Sequence, residues 1–452
     1  MEPAYFDRFF RERRLPPEVD LAAIRRQWLA LGPPYEISHR HLPLPVWARR
    51  PFEEGGEAAW QVLRRDVPAL PGGRAFCIYI HVPFCAGRCA FCDCYAFRLA
   101  SHRVRHVEQY VDRLAREMAL WGGLAGLPGR PVSTVHLGGG TPTYLGQAAL
   151  ARLVAACRAQ FNAGRETEWA LESTASELGA DMLDHLHGLG FRRLHVGVQS
   201  LQAQARRALN RRAPAGTVLE RLAEAAARGW VVSVDLIYGL PGQTLDGLLA
   251  DIRALIGAGV DGFSLYELQL SARNRPFARQ HGLAGRDRRR NYLLGQVAGR
   301  YLAALGYRKT LFNHFAGAHD TNLYFTFPAR GEDLLALGAV ADGVFGDYHY
   351  RHPQYAAYGR GVDGGGPGLE GGLQRTAEEN RLQPLVTALM AGRLPAALFA
   401  DLGAGRLLDD WLEAGLLAPG GGGDLRLTGS GSWFVGNMIS RLVAGQGASG
   451  GR

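Results

Sequence analysis

The sequence predicts an α/β protein built on an incomplete (βα)6 barrel. Six short apolar, β-branched segments follow one another between residues 76 and 267, and an amphipathic helical segment separates each from the next. Buried strands that alternate with helices form parallel βαβ units. The residues suited to chemistry also follow the ends of these strands, and the carboxyl ends of barrel strands form the rim where active sites lie.

The elements follow from the apolar periodicity. The predicted strands are Cys77–Val82, Val132–Leu137, Trp169–Leu171, Leu194–Val198, Val231–Ile237 and Gly262–Tyr266. The predicted helices lie near residues 107–121, 147–161, 178–189, 217–229 and 245–258. After residue 310 this alternation fades, so the barrel is expected to end there.

Composition divides the chain into five segments. Residues 1–75 mix charges, aromatics and prolines, and we expect an arm with short helices rather than a separate domain. The barrel occupies residues 76–310, and a connecting segment with loops on the substrate side occupies 311–368. Residues 369–445 predict a small, mostly helical, winged-helix-like domain. The glycine-rich residues 446–452 predict a disordered tail.

Charge and hydropathy exclude several classes of protein. The net charge of +9 comes almost wholly from arginine, and Lys309 is the only lysine. The short basic runs lack the interleaved aromatics of single-strand nucleic-acid platforms, and no apolar run approaches the roughly 20 residues that span a bilayer. The chain also opens without the features of a signal peptide. We therefore expect a cytoplasmic protein with a small-molecule substrate and no nucleic-acid or membrane partner.

A cysteine-rich loop follows the first predicted strand. Cys85, Cys89 and Cys92 could each hold one iron of a [4Fe–4S] cluster and leave the fourth iron open to an exchangeable ligand. A zinc site is the weaker alternative, because no second pair of Cys or His residues follows. A disulfide framework is typical of small secreted domains, which this chain does not resemble.

The segment from Tyr79 to Cys94, which reads Tyr-Ile-His-Val-Pro-Phe-Cys-x3-Cys-x-Phe-Cys-x-Cys, resembles the cluster loop of oxygen-independent coproporphyrinogen III oxidases. These enzymes belong to the radical S-adenosylmethionine (SAM) superfamily. The resemblance implies that SAM binds the open iron and is cleaved to a 5′-deoxyadenosyl radical. It also implies a partial barrel and an electron donor such as flavodoxin or ferredoxin.

The resemblance extends to residues that hold the cluster-bound SAM. Gly139, Gly140 and Thr141 belong to a Gly-Gly-Gly-Thr-Pro motif that resembles the family's site for the methionine end of SAM. Tyr79 and Glu172 resemble its tyrosine and carboxylate contacts. On their own, a glycine triplet is commonly a turn and Glu172 is an ordinary carboxylate at a strand end.

Four further residues resemble those that line a second SAM in this family: Phe91, Gln199, Arg211 and Asp235. Their joint order along the chain, with the segment Asp235–Thr244 intact, supports this interpretation. Taken singly, the glutamine could cap an element, the arginine could be a surface charge, and the aspartate could be a buried hydrogen-bond partner.

Two residues are candidate catalytic groups. Cys94, one residue beyond the cluster set, occurs in the oxidases and is apolar in the related haem chaperones, so it favours an enzyme; a structural thiol is the alternative. Asp342 occupies a position near the second SAM that is normally apolar. A buried carboxylate must be paired or protonated, so Asp342 could accept a proton, contact substrate or form a structural hydrogen bond.

The chain departs from the oxidases in its arm. Where they carry Arg-Tyr-Thr-Ser-Tyr-Pro, residues 32–39 keep only Gly32 and Tyr35. This difference and Asp342 favour a class C relative that moves a methyl or methylene group from a second SAM to an unsaturated carbon of a conjugated or tetrapyrrole-like substrate. The alternatives are oxidative decarboxylation of coproporphyrinogen III and a haem chaperone.

Overall fold

The computed structural model describes residues 2–33, 35–48, 50–99, 103–283, 287–400 and 405–447. Its strands are β1 (Glu54–Gly55), β2 (Phe76–Val82), β3 (Val132–Gly139), β4 (Glu168–Ser173), β5 (Phe191–Gln199), β6 (Val231–Tyr238), β7 (Gly262–Glu267), β8 (Arg308–Leu311), β9 (His314–Ala316), β10 (Asp333–Leu337), β11 (Asp342–Phe345), β12 (Tyr348–Arg351), β13 (Gly371–Gln374), β14 (Arg393–Leu394), β15 (Leu417–Pro419) and β16 (Leu425–Leu427).

The α-helices surround these strands. They are α1 (Pro3–Phe10), α2 (Leu21–Ala30), α3 (Gly56–Asp66), α4 (Arg103–Gly122), α5 (Gln147–Gln160), α6 (Ala180–Leu189), α7 (Ala203–Ala208), α8 (Ala215–Ala227), α9 (Leu245–Gly257), α10 (Arg275–Gln280), α11 (Arg288–Ala304), α12 (Leu323–Thr326), α13 (Tyr355–Asp363), α14 (Ala377–Ala391), α15 (Ala397–Ala400), α16 (Gly405–Glu413), α17 (Gly429–Trp433) and α18 (Val435–Gly447).

A parallel sheet forms the centre of the protein and confirms the predicted fold class. Strands β2 to β7 pair in chain order, each parallel to the next. A seventh parallel strand, β10, adds to the free edge of β2. Antiparallel strands then extend the sheet on both sides, with β11, β12, β13 and β1 beyond β10 and with β9 and β8 beyond β7. The six predicted strands and the five predicted helices all appear in the structure.

Local sequence explains where these elements begin and end. The strands of the parallel sheet are buried along most of their length because helices cover them. Helix α9 begins where the Thr244 side chain accepts a hydrogen bond from the Gly247 backbone N–H at 3.1 Å. Helix α6 ends at Gly190, whose φ of +98° suits a residue without a Cβ.

The connecting segment contributes more than loops. It supplies β10 to β12, so the sheet continues through residues for which the sequence predicted substrate-side loops. The predicted disordered tail also begins too early, because α18 continues to Gly447; residues 448–452 lie outside the described residues. In the described part of the chain, no helix combines the length and apolar character needed to cross a membrane.

The arm and the C-terminal residues pack on each other. Trp28 of α2 is fully buried and its ring lies 5.9 Å from that of Tyr292 on α11. Tyr35, which persists in the otherwise divergent arm, accepts hydrogen bonds from Trp411 Nε1 at 2.7 Å and from Arg441 Nη1 at 3.1 Å. Tyr35 therefore has a structural role in this contact.

A buried ion-pair cluster holds β10 against the barrel. Asp333, fully buried at the start of β10, pairs with the buried Arg130 and with Arg74 at 2.9 Å. It also accepts a hydrogen bond from the Gly346 backbone N–H at 2.8 Å. Because each carboxylate oxygen is used, the charge is compensated inside the protein.

Replacing Asp333 tests this anchor. We expect Asp333→Ala to lower the free energy of unfolding by about 3–5 kcal/mol, because Arg130 remains buried without a counter-charge. Urea unfolding followed by circular dichroism measures the change. The matched control is Asp363→Ala, which removes a more exposed carboxylate bonded to Arg113 and Arg116 and should cost at most about 1 kcal/mol. Equal losses in the two variants would contradict the anchoring role.

His349 gives the fold a dependence on pH. Its ring lies 5.7 Å from that of Trp47 and 6.4 Å from that of Phe52. Burial lowers the pKa of His349 to about 4, with Arg351 and Arg375 acting in the same direction and Asp342 against it. As pH falls, His349 is protonated in the unfolded chain before it is protonated in the folded protein. The stability that the neutral, buried side chain provides above pH 6.5 is therefore lost between pH 6.5 and 4.

We expect that over this window the wild type loses about 2–3 kcal/mol more stability than His349→Leu does. Unfolding free energies measured by urea titration at pH 7, 5.5 and 4.5 provide the comparison. His319, which is exposed, is the control, and His319→Gln should follow the wild-type curve. Parallel curves for wild type and His349→Leu would show that the histidine does not carry this dependence.

Candidate active site

One cavity of about 550 Å³ opens at the carboxyl ends of the parallel strands. Its wall includes residues from the cysteine loop after β2, the glycine-rich turn after β3 and the ends of β4 to β7. The predicted site residues that line it are Cys85, Cys89, Phe91, Cys92, Cys94, Gly139, Gly140, Thr141, Glu172, Gln199, Arg211 and Asp235. A cavity of this size is typical of small-molecule sites.

Backbone hydrogen bonds hold the cysteine loop at the cavity edge. The Cys85 N–H donates to the Phe97 carbonyl at 3.1 Å, and the Phe97 N–H donates to the Pro83 carbonyl at 2.9 Å. The Thr141 hydroxyl lies 3.5 Å from the Cys85 sulfur. Burial raises the pKa of Cys85 to about 11. Binding iron therefore requires displacement of a proton from this thiol.

The three predicted cluster ligands fit a polynuclear centre. Cys85, Cys89 and Cys92 are half-buried, free of disulfides and share one cavity wall. Among the residues that the structure describes, no three His, Cys, Asp or Glu side chains converge as one metal ion would require. Thiolates are the ligands through which proteins hold iron–sulfur clusters, so the donor set fits the predicted cluster.

The glycine triplet brings two strand ends into direct contact. The Gly140 N–H donates to the Val82 carbonyl at 2.7 Å, and a Cβ at this position would lie 2.5 Å from the Phe84 carbonyl oxygen. Gly139 has a φ of +104°, a conformation that residues with side chains rarely adopt. Side chains at these positions would move the turn away from the cysteine loop.

Glu172 is held ionised at the cavity wall. Its carboxylate accepts a hydrogen bond from the Gly139 N–H at 3.2 Å and pairs with His136 Nε2 at 3.2 Å. Burial acts to raise the pKa of Glu172, but the hydrogen bond and charge of His136, the charge of His195 and the Gly139 N–H lower it overall. A fixed negative charge therefore faces the cavity.

Two predicted site residues do not line the cavity. Tyr79 stacks on Tyr324 of α12 with ring centroids 5.1 Å apart, and its hydroxyl lies 3.0 Å from His81 Nδ1. The expectation that Asp342 is buried is wrong. Its side chain is 44% exposed and pairs with Arg351 at 2.6 Å across the β11–β12 hairpin. Asp342 therefore lies away from the cavity wall, whereas the contact of Tyr79 with SAM stays a prediction.

A second part of the cavity carries unsatisfied polar groups. Gln199 ends β5 with a φ of +69°, and its Oε1 is buried without a partner. Arg211 lies over the Phe91 ring at 5.6 Å, and its Nε is also buried without a partner. Strained backbone and unpaired buried polar atoms concentrate at binding sites. This wall is therefore suited to a polar ligand.

His195 also lines the cavity and was missed in the sequence analysis. Its Nε2 lies 2.7 Å from Asp235 Oδ1. Burial acts to lower the pKa of His195, but the charge of Asp235 and the hydrogen bond to it raise the pKa overall. The available signal was its position, because Arg193, His195 and Gly197 alternate with the apolar residues Leu194, Val196 and Val198 along the strand.

Known proteins are similar to this chain over the segments that form the site. The sequence profile of the radical SAM superfamily matches residues 79–255. The oxygen-independent coproporphyrinogen III oxidase of Escherichia coli (strain K12) is 29% identical over 359 residues, which cover 75% of this chain and 76% of that protein. The corresponding enzyme of Bradyrhizobium diazoefficiens is 30% identical over 319 residues, which cover 66% of this chain and 69% of that protein.

The fold agrees as well. The solved structure of coproporphyrinogen III oxidase (HemN) from Escherichia coli matches with a TM-score of 0.74 at 25% identity, over 86% of this chain and 94% of that one. The protein is therefore a radical SAM enzyme, a class whose members use a [4Fe–4S] cluster and SAM. Within this class, the chain belongs to the HemN-like family of oxygen-independent coproporphyrinogen III oxidases.

Proposed function

We propose that the protein binds two SAM molecules at the open cavity formed by the strand ends and acts on a tetrapyrrole-type small molecule. The observation that carries the proposal is the second part of the cavity. There Gln199 and Arg211 each present a buried polar atom without a partner, on the wall next to the cysteine loop. Unsatisfied buried donors and acceptors are costly unless a ligand completes them.

The chain's own residues would divide the work between the two cofactor sites. Cys85, Cys89 and Cys92 would hold the cluster, which with its SAM supplies the 5′-deoxyadenosyl radical when bound. Glu172 would attract the cationic amino group of the first SAM. Arg211 would pair with the carboxylate of the second. The cavity wall thereby fixes the distance between the two adenosyl groups.

Oxidative decarboxylation of a propionate side chain is the reaction that the site supports best. The departures from the oxidases lie outside the cavity wall, because the described residues of the divergent segment 32–39 do not line it and Asp342 pairs with Arg351. Arg88 and Arg212 line the cavity and are exposed, so they can meet substrate carboxylates. The propionate side chain would give up a hydrogen atom, pass one electron to an external acceptor and release carbon dioxide. A vinyl group would remain.

One-carbon transfer is the second candidate, and a specific observation favours it. Adding a SAM-derived carbon to an unsaturated position requires a group that removes a proton from the substrate. The pair of His195 and Asp235 on the cavity wall has the form of such a base. The wall also contains Cys94, which is exposed and could exchange a hydrogen atom or proton with substrate.

The reaction can be assigned with coproporphyrinogen III and SAM labelled in its methyl group. In the reconstituted, dithionite-reduced enzyme we expect 5′-deoxyadenosine, carbon dioxide and a vinyl product without label, read by mass spectrometry. Label in the product together with S-adenosylhomocysteine would instead establish one-carbon transfer. Cleavage of SAM with neither product would reject this substrate, and haem binding would then be measured. Cys85→Ala should abolish cleavage, whereas Cys157→Ala, a buried thiol on α5 outside the cavity wall, should retain it.

The second SAM site has its own test. Equilibrium dialysis of reconstituted enzyme with labelled SAM should give two molecules per chain, and Arg211→Gln should reduce this to one. Removing one charged hydrogen-bond donor costs about 1.5–3 kcal/mol, which is roughly a tenfold to hundredfold loss of affinity. Arg207→Gln removes an exposed arginine from the nearby helix α7 and should leave two. One SAM per wild-type chain would refute the two-SAM proposal.

A further inference from the structure

A second, smaller cavity lies outside the active site. Its volume is about 70 Å³, and its wall combines the arm, the end of the barrel sheet and the C-terminal residues. The polar residues important here are Arg40 from the arm, Lys309 on β8, and Ser432 and Trp433 at the C-terminal side. The cavity is separate from the cysteine loop and from every predicted SAM contact.

Lys309 is the chain's only lysine, among 51 basic residues. The other fifty are arginines, whose guanidinium groups stay protonated in proteins. A lysine amine can lose its proton when it is buried, and then it becomes a nucleophile. Lys309 is thus the only side chain of this protein with an amine that can act as a nucleophile, and it lines a cavity.

The surroundings of Lys309 lack an acceptor for its charge. In the described part of the chain, the side-chain amine of Lys309 makes no ion pair or hydrogen bond. Arg40 lines the same cavity but is committed to Glu267, with Nη1 and Oε2 2.6 Å apart. Trp433 is 4% exposed, and its Nε1 is buried without a partner. The wall residue Trp433 therefore has a buried donor without an acceptor, which is a costly arrangement unless a further acceptor binds.

The protonation state agrees with this geometry. Burial, followed by the charge of Arg40, lowers the pKa of Lys309 to about 7. The other titratable groups at this site are Tyr238 on the cavity wall and Glu267 behind Arg40. A substantial fraction of the amine is therefore unprotonated at neutral pH.

We propose that Lys309 is a carbamylation site at which carbon dioxide adds to the amine. The nitrogen lone pair attacks the carbon of carbon dioxide, an N–C bond forms, one C=O bond becomes C–O⁻, and the amine releases a proton to water. No oxidant or further reactant is needed. The product is a carbamate anion, whose two oxygens accept hydrogen bonds from Trp433 Nε1 and the Ser432 hydroxyl. The carbamate thereby supplies the acceptor that Trp433 lacks, and its charge lies in the cavity that Arg40 also lines.

The cavity has room for a small electrophile. One water occupies roughly 30 Å³ in the liquid, and the cavity of about 70 Å³ accommodates a group the size of a carboxylate. Lys309 is half-buried, so the cavity remains accessible to a small dissolved gas. A free inorganic anion shares the donor requirements of a carbamate, and the experiment below separates the two.

The single lysine permits a direct test. The full chain is produced with ¹⁵N-labelled lysine and equilibrated with ¹³C-bicarbonate at pH 7.5. We expect one ¹³C resonance that is split by coupling to ¹⁵N, because a covalent N–C bond joins the two labels. The amino group at the start of the chain carries no ¹⁵N and gives no such splitting. This measurement needs neither cluster nor SAM, so its outcome is independent of the proposed function.

Two variants identify the site. Lys309→Arg keeps the charge but should lose the split resonance completely, and Trp433→Phe should raise the half-saturating bicarbonate concentration about tenfold, as loss of one hydrogen bond to a charged group predicts. Thermal unfolding verifies that both variants are folded. An unsplit resonance in the wild type would show a non-covalent bicarbonate ion and overturn the proposal, as would absence of any resonance. An unchanged midpoint in Trp433→Phe would overturn the assigned carbamate contacts.

Discussion

Direct backbone contact between the ends of the first two barrel strands determines where the rest of the site lies. The Gly140 and Thr141 N–H groups donate to the Val82 and Phe84 carbonyls at 2.7 and 2.8 Å, so the turn after β3 lies against the base of the cysteine loop. At position 140, only a residue without a side chain lets the turn come this close to the Phe84 carbonyl. The same turn directs the Gly139 N–H to Glu172 on β4. Three strand ends and the cluster loop are thereby held as one unit.

The parallel core and the cluster loop could be predicted because each depends on local sequence. Apolar runs in alternation with amphipathic helices indicate βαβ units, and cysteines with three and then two residues between them indicate a cluster loop. Strand β10 could not be found in this way, because its partner β2 lies some 250 residues earlier and its anchor is the buried pair of Asp333 with Arg130. Its pairing is a property of the tertiary structure.

Side-chain orientation accounts for the other differences. Asp342 was expected to be buried, yet it faces Arg351 across a hairpin whose register sequence alone does not reveal. Tyr79 was expected at the SAM site, and in the structure its ring stacks with those of Tyr324 and His136 and does not line the cavity wall. His195 became recognisable once the structure placed it beside Asp235. For Tyr79 and His195 the deciding contact comes from a distant part of the chain, whereas for Asp342 it comes from the adjacent strand of the same hairpin.

The packing of the arm on the C-terminal residues has a consequence for biosynthesis. Tyr35 and its hydrogen-bond partner Trp411 are separated by 376 residues. At a translation rate of about 5–20 residues per second, Trp411 is made tens of seconds after the arm leaves the ribosome. Strands β2 to β7 can pair one after another as they emerge, since each neighbour follows in the chain. The barrel can therefore form during translation, whereas the contact of Tyr35 with Trp411 forms only near the end of translation.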